Sequence, residues 1–408
     1  MKNYLFLLLC LPCLSLARFY NYQDVPFGER SAGMGLTAVA ASSDVGDAFY
    51  NPASVADLKS PMIGAAVSSY ARIDDRSGEY ESFFDSVKRS LVQGSVESIP
   101  AFVGGNFNTK GWVWGGGVYV PSSLSFNGVV RGDAEELVTY QSESTTTHLL
   151  AFVSKRWDKW SYGASISFAT FSESERFLHL YSVNPNDIEV SEYFFSSNTA
   201  FLSLGSAVDL TESIRFGASV SIPLLLLGGG LNVIDVRSGG SSLEDADYDI
   251  SGIASPVRLS GGIQWKINSK FVVAADLHLY SGFTKNLAPS EPSQLFLISA
   301  KPIANLNLGM QWRGWEWVGF RLGVFSNLSS RKNVKFKDLA TLQDSINMVG
   351  ATAGVYFPTP TGSISLGGFF QGGQGRMPNI IEDAQDTKGI PRSTYVYGAV
   401  VGSTYFFD

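Results

Sequence analysis

The 408-residue chain predicts an all-β fold: an antiparallel transmembrane β-barrel of about fourteen strands, with an N-terminal hatch in its lumen. Three observations predict it. Segments roughly ten residues long alternate apolar and polar or small side chains. The connections between them alternate between tight and long. Charged residues are only 16% of the chain, aromatics reach 13%, and 42 glycines are scattered rather than clustered.

Alternation is clearest in four segments. In 304–313 one face carries Ala304, Leu306, Leu308, Met310 and Trp312, and the other Asn305, Asn307, Gly309, Gln311 and Arg313. In 271–280, Phe271, Val273, Ala275, Leu277 and Leu279 oppose a face with Asp276 and His278. In 317–325, Val318, Phe320, Leu322 and Val324 oppose Gly319, Arg321 and Gly323; in 257–266, Leu259, Ile263 and Trp265 oppose Arg258, Ser260, Gly262 and Gln264. A soluble sandwich alternates too, so the connections must discriminate. Strands are expected near 61–73, 98–108, 110–121, 145–156, 159–172, 197–210, 212–225, 255–267, 269–282, 303–314, 315–327, 345–358, 361–373 and 394–407. Every second connection is tight, such as Asn108-Thr109-Lys110-Gly111, Asp158-Lys159 and Asn268-Ser269. The others, 74–97, 122–144, 173–196, 226–254, 283–302, 328–344 and 374–393, are long. Short turns on one rim and long loops on the other are the outer-membrane barrel pattern.

Residues 1–17 predict a signal peptide: Lys2, an apolar stretch from Tyr4 to Leu14, and the small-x-small site Ser15-Leu16-Ala17. Both cysteines, Cys10 and Cys13, lie inside it, so the mature chain has no thiol to pair or to react. Loss of Lys2 takes the net charge from −7 to −8, which argues against a nucleic-acid partner. The expected organisation is a hatch over 18–60 and a barrel over 61–408. The last strand places Tyr395, Tyr397, Ala399, Val401, Tyr405 and Phe407 on one face. Gly402, Tyr405 and Phe407 fit a signal for the barrel-assembly machinery, although Val400 stands where a polar residue is usual and Asp408 follows the final aromatic.

The N-terminal segment does not alternate. It reads Arg30-Ser31-Ala32-Gly33-Met34-Gly35, then a spacer from Asp44 to Asp47, then Ala48-Phe49-Tyr50-Asn51-Pro52-Ala53. On these residues the chain resembles the FadL/TodX family of outer-membrane transporters for fatty acids and hydrocarbons. Outside them the likeness is one of architecture. The resemblance implies a lumenal hatch that shifts to pass ligand, with Gly33, Gly35, Asn51, Pro52 and Ala53 at its gate. It also implies a kinked third strand, for which Gly115, Gly116 and Gly117 are the candidates. Those glycines could equally make room for the hatch.

Candidate ligand contacts lie in the loops and on the lumenal wall. Tyr80, Phe83, Phe84, Val87 and Leu91 have helical spacing, which predicts an amphipathic helix that gathers hydrophobic ligand or caps the barrel mouth. Phe194 and Phe195, and the run Leu224 to Leu227, would add to an apolar capture surface or pack on lipid. Arg258 and Arg321 could fork onto a ligand carboxylate or pair with hatch or wall carboxylates such as Asp276. The three histidines, His148, His179 and His278, lie on separate segments. No nucleophile elbow, zinc spacing or Ser/His pair emerges, so neither catalysis nor a cofactor is expected.

These readings predict a monomer in the bacterial cell outer membrane, multi-pass, contacting membrane lipid and the barrel-assembly machinery. It would take up small hydrophobic molecules passively: long-chain fatty acids or aromatic hydrocarbons. Two other roles remain compatible, a shuttle barrel of a secretion system that handles proteins, and a plugged surface adhesin.

Overall fold

The computed structural model describes residues 21–23, 25–41, 44–82, 85–131, 137–180, 188–237, 242–249, 255–286, 297–332, 345–377 and 390–407. Seventeen strands occur among them: β1 (Met62–Ser82), β2 (Asp85–Thr109), β3 (Trp112–Arg131), β4 (Leu137–Trp157), β5 (Trp160–Leu180), β6 (Ile188–Asp209), β7 (Ile214–Arg237), β8 (Ser242–Asp249), β9 (Arg258–Lys266), β10 (Phe271–Tyr280), β11 (Phe283–Asn286), β12 (Leu297–Ala300), β13 (Ile303–Trp312), β14 (Gly319–Asn327), β15 (Ser345–Thr359), β16 (Gly362–Met377) and β17 (Ile390–Phe406). Fourteen of these close an antiparallel ring. β1 pairs with β17 from Met62↔Phe406 to Asp75↔Ser393, which joins the two ends of the chain's barrel. β8 only extends the upper part of β7, and β11–β12 form a separate hairpin above β10 and β13. No helix among the described residues is long and apolar enough to cross a membrane.

Closure removes the sheet edges, the one arrangement of strands that leaves no backbone group unpaired in hydrocarbon. The faces sort as alternation requires. Leu306, Leu308, Met310 and Trp312 of β13 point out, while Asn305 and Asn307 are buried inside. Trp112, Trp157, Trp160, Trp312, Trp315 and Trp317 are exposed beside the tight turns and form an aromatic girdle on that rim. Tyr405 and Phe407 extend the outward face, ring edge to face at 5.1 Å.

The long-loop expectation needs correction. Strands β1 to β7 run 20 to 25 residues each, whereas about 9–11 cross a bilayer. Much of 74–97, 122–144, 173–196 and 226–254 is therefore strand, and one half of the wall rises well past the membrane. β9, β10, β13 and β14, at 9 or 10 residues, do not. The amphipathic helix expected near Tyr80–Leu91 is instead the end of the β1–β2 hairpin, where Tyr80 pairs with Val87 and Arg76 with Leu91. A lone helix of that length is marginal in water. Continuing an existing ladder satisfies each backbone group without a new nucleus. Phe83 and Phe84 lie outside the described residues. The connections 328–344 and 374–393 lie largely outside them too.

Candidate functional site: the plugged lumen and the β2–β3 seam

Residues 25–41 and 44–58 hold three short 3-10 helices, η1 (Ser31–Met34), η2 (Val45–Phe49) and η3 (Ser54–Asp57). Asp44 caps η2, and the Asp47 side chain closes a reciprocal capping box. Gly35 ends η1 with φ +62°, a left-handed conformation that suits glycine. The segment bonds to strands all round the ring, so it is a plug within the lumen. Ser68 of β1 donates to the Pro26 carbonyl, Tyr119 of β3 to Val45, Ser219 of β7 to Tyr50, and Ser365 of β16 to Glu29. On β10, Asp276 accepts from the Ala38 and Val39 amides at 2.6 and 2.9 Å.

The expected gate residues sit deep in this contact. The buried Asn51 carboxamide donates to the carbonyls of Val39 (2.7 Å) and Ser206 on β6 (3.1 Å), and accepts from the Ala53 amide. It thus fastens the plug to itself and to the wall. Pro52 and Ala53 press on β5, where a Cβ added at Gly163 would overlap the Pro52 carbonyl and the Ala53 amide. Thr352 of β15 accepts from the Gly35 amide and donates to the Gly33 carbonyl. Gly402 faces inward against Glu29 rather than lipid.

The two arginines singled out for a ligand carboxylate serve the plug. Arg321 pairs with Glu29 at 2.7 Å, donates to the Glu29 carbonyl and to Gln311, and lies 4.1 Å over the Tyr356 ring. Arg258 donates to the Phe49 carbonyl at the end of η2 and packs on the Phe49 ring. Phe195 is fully buried, with Phe171 at 5.4 Å, whereas its neighbour Phe194 points outward. Strand alternation separates the two, so they make no common capture surface.

Several participants escaped sequence reasoning. At the tight-turn rim Asp57 of η3 pairs with Arg156 of β4 (2.6 Å) and with Arg215 of β7, and Asp209 of β6 pairs with both arginines. Nothing in the sequence links positions so far apart. Within the plug, burial raises the Asp44 pKa and the Glu29 carboxylate adds to this, against backbone donors from Gly46, Glu29 and Arg30. Burial lowers that of Arg30, with Asp47 opposing. Asp57→Asn should loosen the plug by only about 1 kcal/mol, because Arg215 keeps Asp209 and the cluster is partly wet. Protease accessibility of residues 45–58 measures it, and full release of the plug would contradict this weighting.

Among the described residues the longest break in wall pairing, a seam, lies between β2 and β3. β2 and β3 pair only from Thr109↔Trp112 to Phe102↔Tyr119, although both strands continue. Each strand carries a proline just past that point. β2 is irregular against β1 opposite Pro100, and β3 against β4 at Val120–Pro121. Proline has no N–H to extend a ladder. The Val25 amide of the plug donates to the Pro121 carbonyl, and Ala101 and Val120 are buried there. Gly115, Gly116 and Gly117 lie below, in regular register with Asn106, Gly105 and Gly104. The irregularity in β3 thus belongs to the proline rather than the glycines.

Fold and site together define a plugged, fourteen-stranded transmembrane β-barrel. Among solved structures the chain is similar to a Pseudomonas aeruginosa FadL homologue (TM-score 0.68, 12% identity, covering 97% of this chain and 100% of that one). It is also similar to the P. putida toluene transporter TodX (0.65, 15%, 93% and 98%) and the Ralstonia pickettii toluene transporter TbuX (0.60, 13%, 94% and 98%). At such identities the likeness establishes a shared fold, that of the FadL/TodX-type barrels. No protein-family profile and no curated protein matches the sequence. Among the described residues no cluster of metal-ligating side chains occurs.

Proposed function

We propose that the protein is an outer-membrane channel for passive entry of small hydrophobic molecules, which leave the lumen sideways through the β2–β3 seam. The seam carries the reading: among the described residues it is the longest stretch over which neighbouring wall strands stop pairing while both continue, and the plug is bonded to it through Val25 and Pro121. Solved barrels of the same fold include transporters of toluene. An apolar ligand gains about 25 cal/mol per Å² of surface removed from water, so movement from lumen to bilayer needs no energy source. Plug displacement exposes the path, and an aromatic-rich lumen (Phe27, Phe49 and Tyr119 in mutual ring contact, with Phe102 against Tyr119) receives the ligand.

Cross-linking tests it. The mature chain is expected to lack cysteine, so Ala101→Cys with Val120→Cys can be bridged by a bifunctional thiol reagent across the seam. Uptake of a radiolabelled alkylbenzene or fatty acid into barrel-containing vesicles should fall at least tenfold in the bridged protein and return when a cleavable bridge is opened. Unchanged uptake in the bridged form would rule out the lateral path.

A further inference from the structure

Several buried polar atoms of the plug and lumenal wall have no hydrogen-bond partner among the described residues, including Arg30 Nη1, Asp276 Oδ1 and Asn307 Oδ1, and two further ones meet across one plug–wall contact. The Tyr50 hydroxyl of the plug and Nε2 of His278 on β10 are buried, and neither has a hydrogen-bond partner among the described residues. Their rings are 6.0 Å apart. Nδ1 of His278 bonds Ser260 at 2.8 Å, which fixes the ring and leaves Nε2 as its free nitrogen. Asn305, the cross-strand partner of His278, is fully buried and its side-chain Nδ2 is also unbonded. His278 and Asn305 thus lie side by side on β10 and β13, and the His278 ring lies near Tyr50 of the plug. Each orphan costs on the order of 1–3 kcal/mol, and native structures seldom tolerate them without a ligand or water in view.

We infer that this contact between Tyr50 and His278 is a subsite for the neutral hydroxyl of an amphipathic ligand, such as a phenol or alcohol, whose apolar body lies against the aromatic cluster of Phe49, Phe27 and Tyr119. The inference rests on the uptake reading above and narrows its substrate class. A hydroxyl both donates and accepts, so it can answer a phenol and an imidazole nitrogen together. A hydrocarbon answers neither. A carboxylate fits less well because the nearby charges are already matched: Arg258 and Arg30 act against Asp47 and Asp276 on this region. Arg258 is occupied by the Phe49 carbonyl and ring. Tyr50 belongs to the plug and His278 to the wall, so a ligand hydroxyl entering here contacts both parts that must separate.

Equilibrium dialysis of the full barrel in detergent micelles, corrected against empty micelles, compares 4-ethylphenol, ethylbenzene and 4-ethylbenzoate. The wild type should bind 4-ethylphenol about tenfold more tightly than either of the others, as two added hydrogen bonds imply. Tyr50→Phe and His278→Leu should bind all three alike, and His278→Gln, which keeps a polar amide, should restore part of the preference. Tightest binding of the benzoate, equal binding of phenol and hydrocarbon by the wild type, or a phenol preference that survives both substitutions overturns the subsite. Binding of ethylbenzene without discrimination leaves the uptake reading standing, while no binding of any of the three overturns both.

Discussion

Replacing Gly323 by valine should unseat the plug and turn a closed barrel into a leaky one. A Cβ at this position of β14 would overlap the Gly35 amide and the Met34 carbonyl carbon. Both are backbone atoms, so no rotamer change relieves the clash. The plug is tied there from the other side as well, by Thr352 to Gly33 and Gly35. Overpacking a tight contact costs about 1–3 kcal/mol, and a backbone overlap belongs at or above the top of that range. The strands themselves are untouched, because the wall's own ladder does not involve the glycine's missing side chain. Single-channel conductance of ions in planar bilayers should rise several-fold, with unchanged heat-dependent migration of the folded barrel on gels. Gly261→Val is the control, since open space lies beyond that glycine. A closed channel in the Gly323 variant would mean that the N-terminal segment is not what blocks the lumen.

The second large effect concerns Arg321. Its pair with Glu29 is buried on both sides, with side-chain exposures of 6% and 5%. Removing one member of a buried pair strands the other charge and costs about 3–5 kcal/mol. Arg321→Met should therefore lower thermal stability of the plugged state and expose residues 25–58 to protease. The double variant Arg321→Met with Glu29→Gln should recover much of the loss, because the stranded charge is gone. A ligand-binding role for this arginine predicts something different: weaker fatty-acid binding with an intact, protease-resistant plug. That second outcome would return Arg321 to the ligand.

The barrel was legible because its physics is local. Alternation in 304–313 and 271–280, and tight turns such as Asn268-Ser269, follow from period-two side chains and short connections alone. All fourteen wall strands lie where that pattern puts them, to within a few residues at the tight-turn rim. The loop-side ends were misjudged for the same reason. In 80–91 apolar spacing fits a helix, but the choice was made by a ladder already running up from the membrane, which a local pattern does not contain. Phe194 and Phe195 went the same way, sorted to opposite faces by a strand that continues past the expected boundary.

The site was legible only in part. The hatch motif marked Asn51-Pro52-Ala53, and the structure gives Asn51 a reason: its amide joins Val39 to Ser206. The arginines were visible as lumenal residues, but which partner each takes depends on where the plug lies. Pro100 and Pro121 stood in plain view inside strands, the position where proline interrupts a ladder, yet their meaning needed both strands side by side.

The sequence by itself thus determined the alternating wall, its strand number and the presence of a non-alternating segment before it, all set within about ten residues of chain. Only the tertiary structure decided how far the strands rise, that Glu29 and Phe49 occupy Arg321 and Arg258, and that the wall parts between β2 and β3. Those outcomes come from pairing and packing between residues up to nearly three hundred positions apart, where no periodicity in the chain carries information.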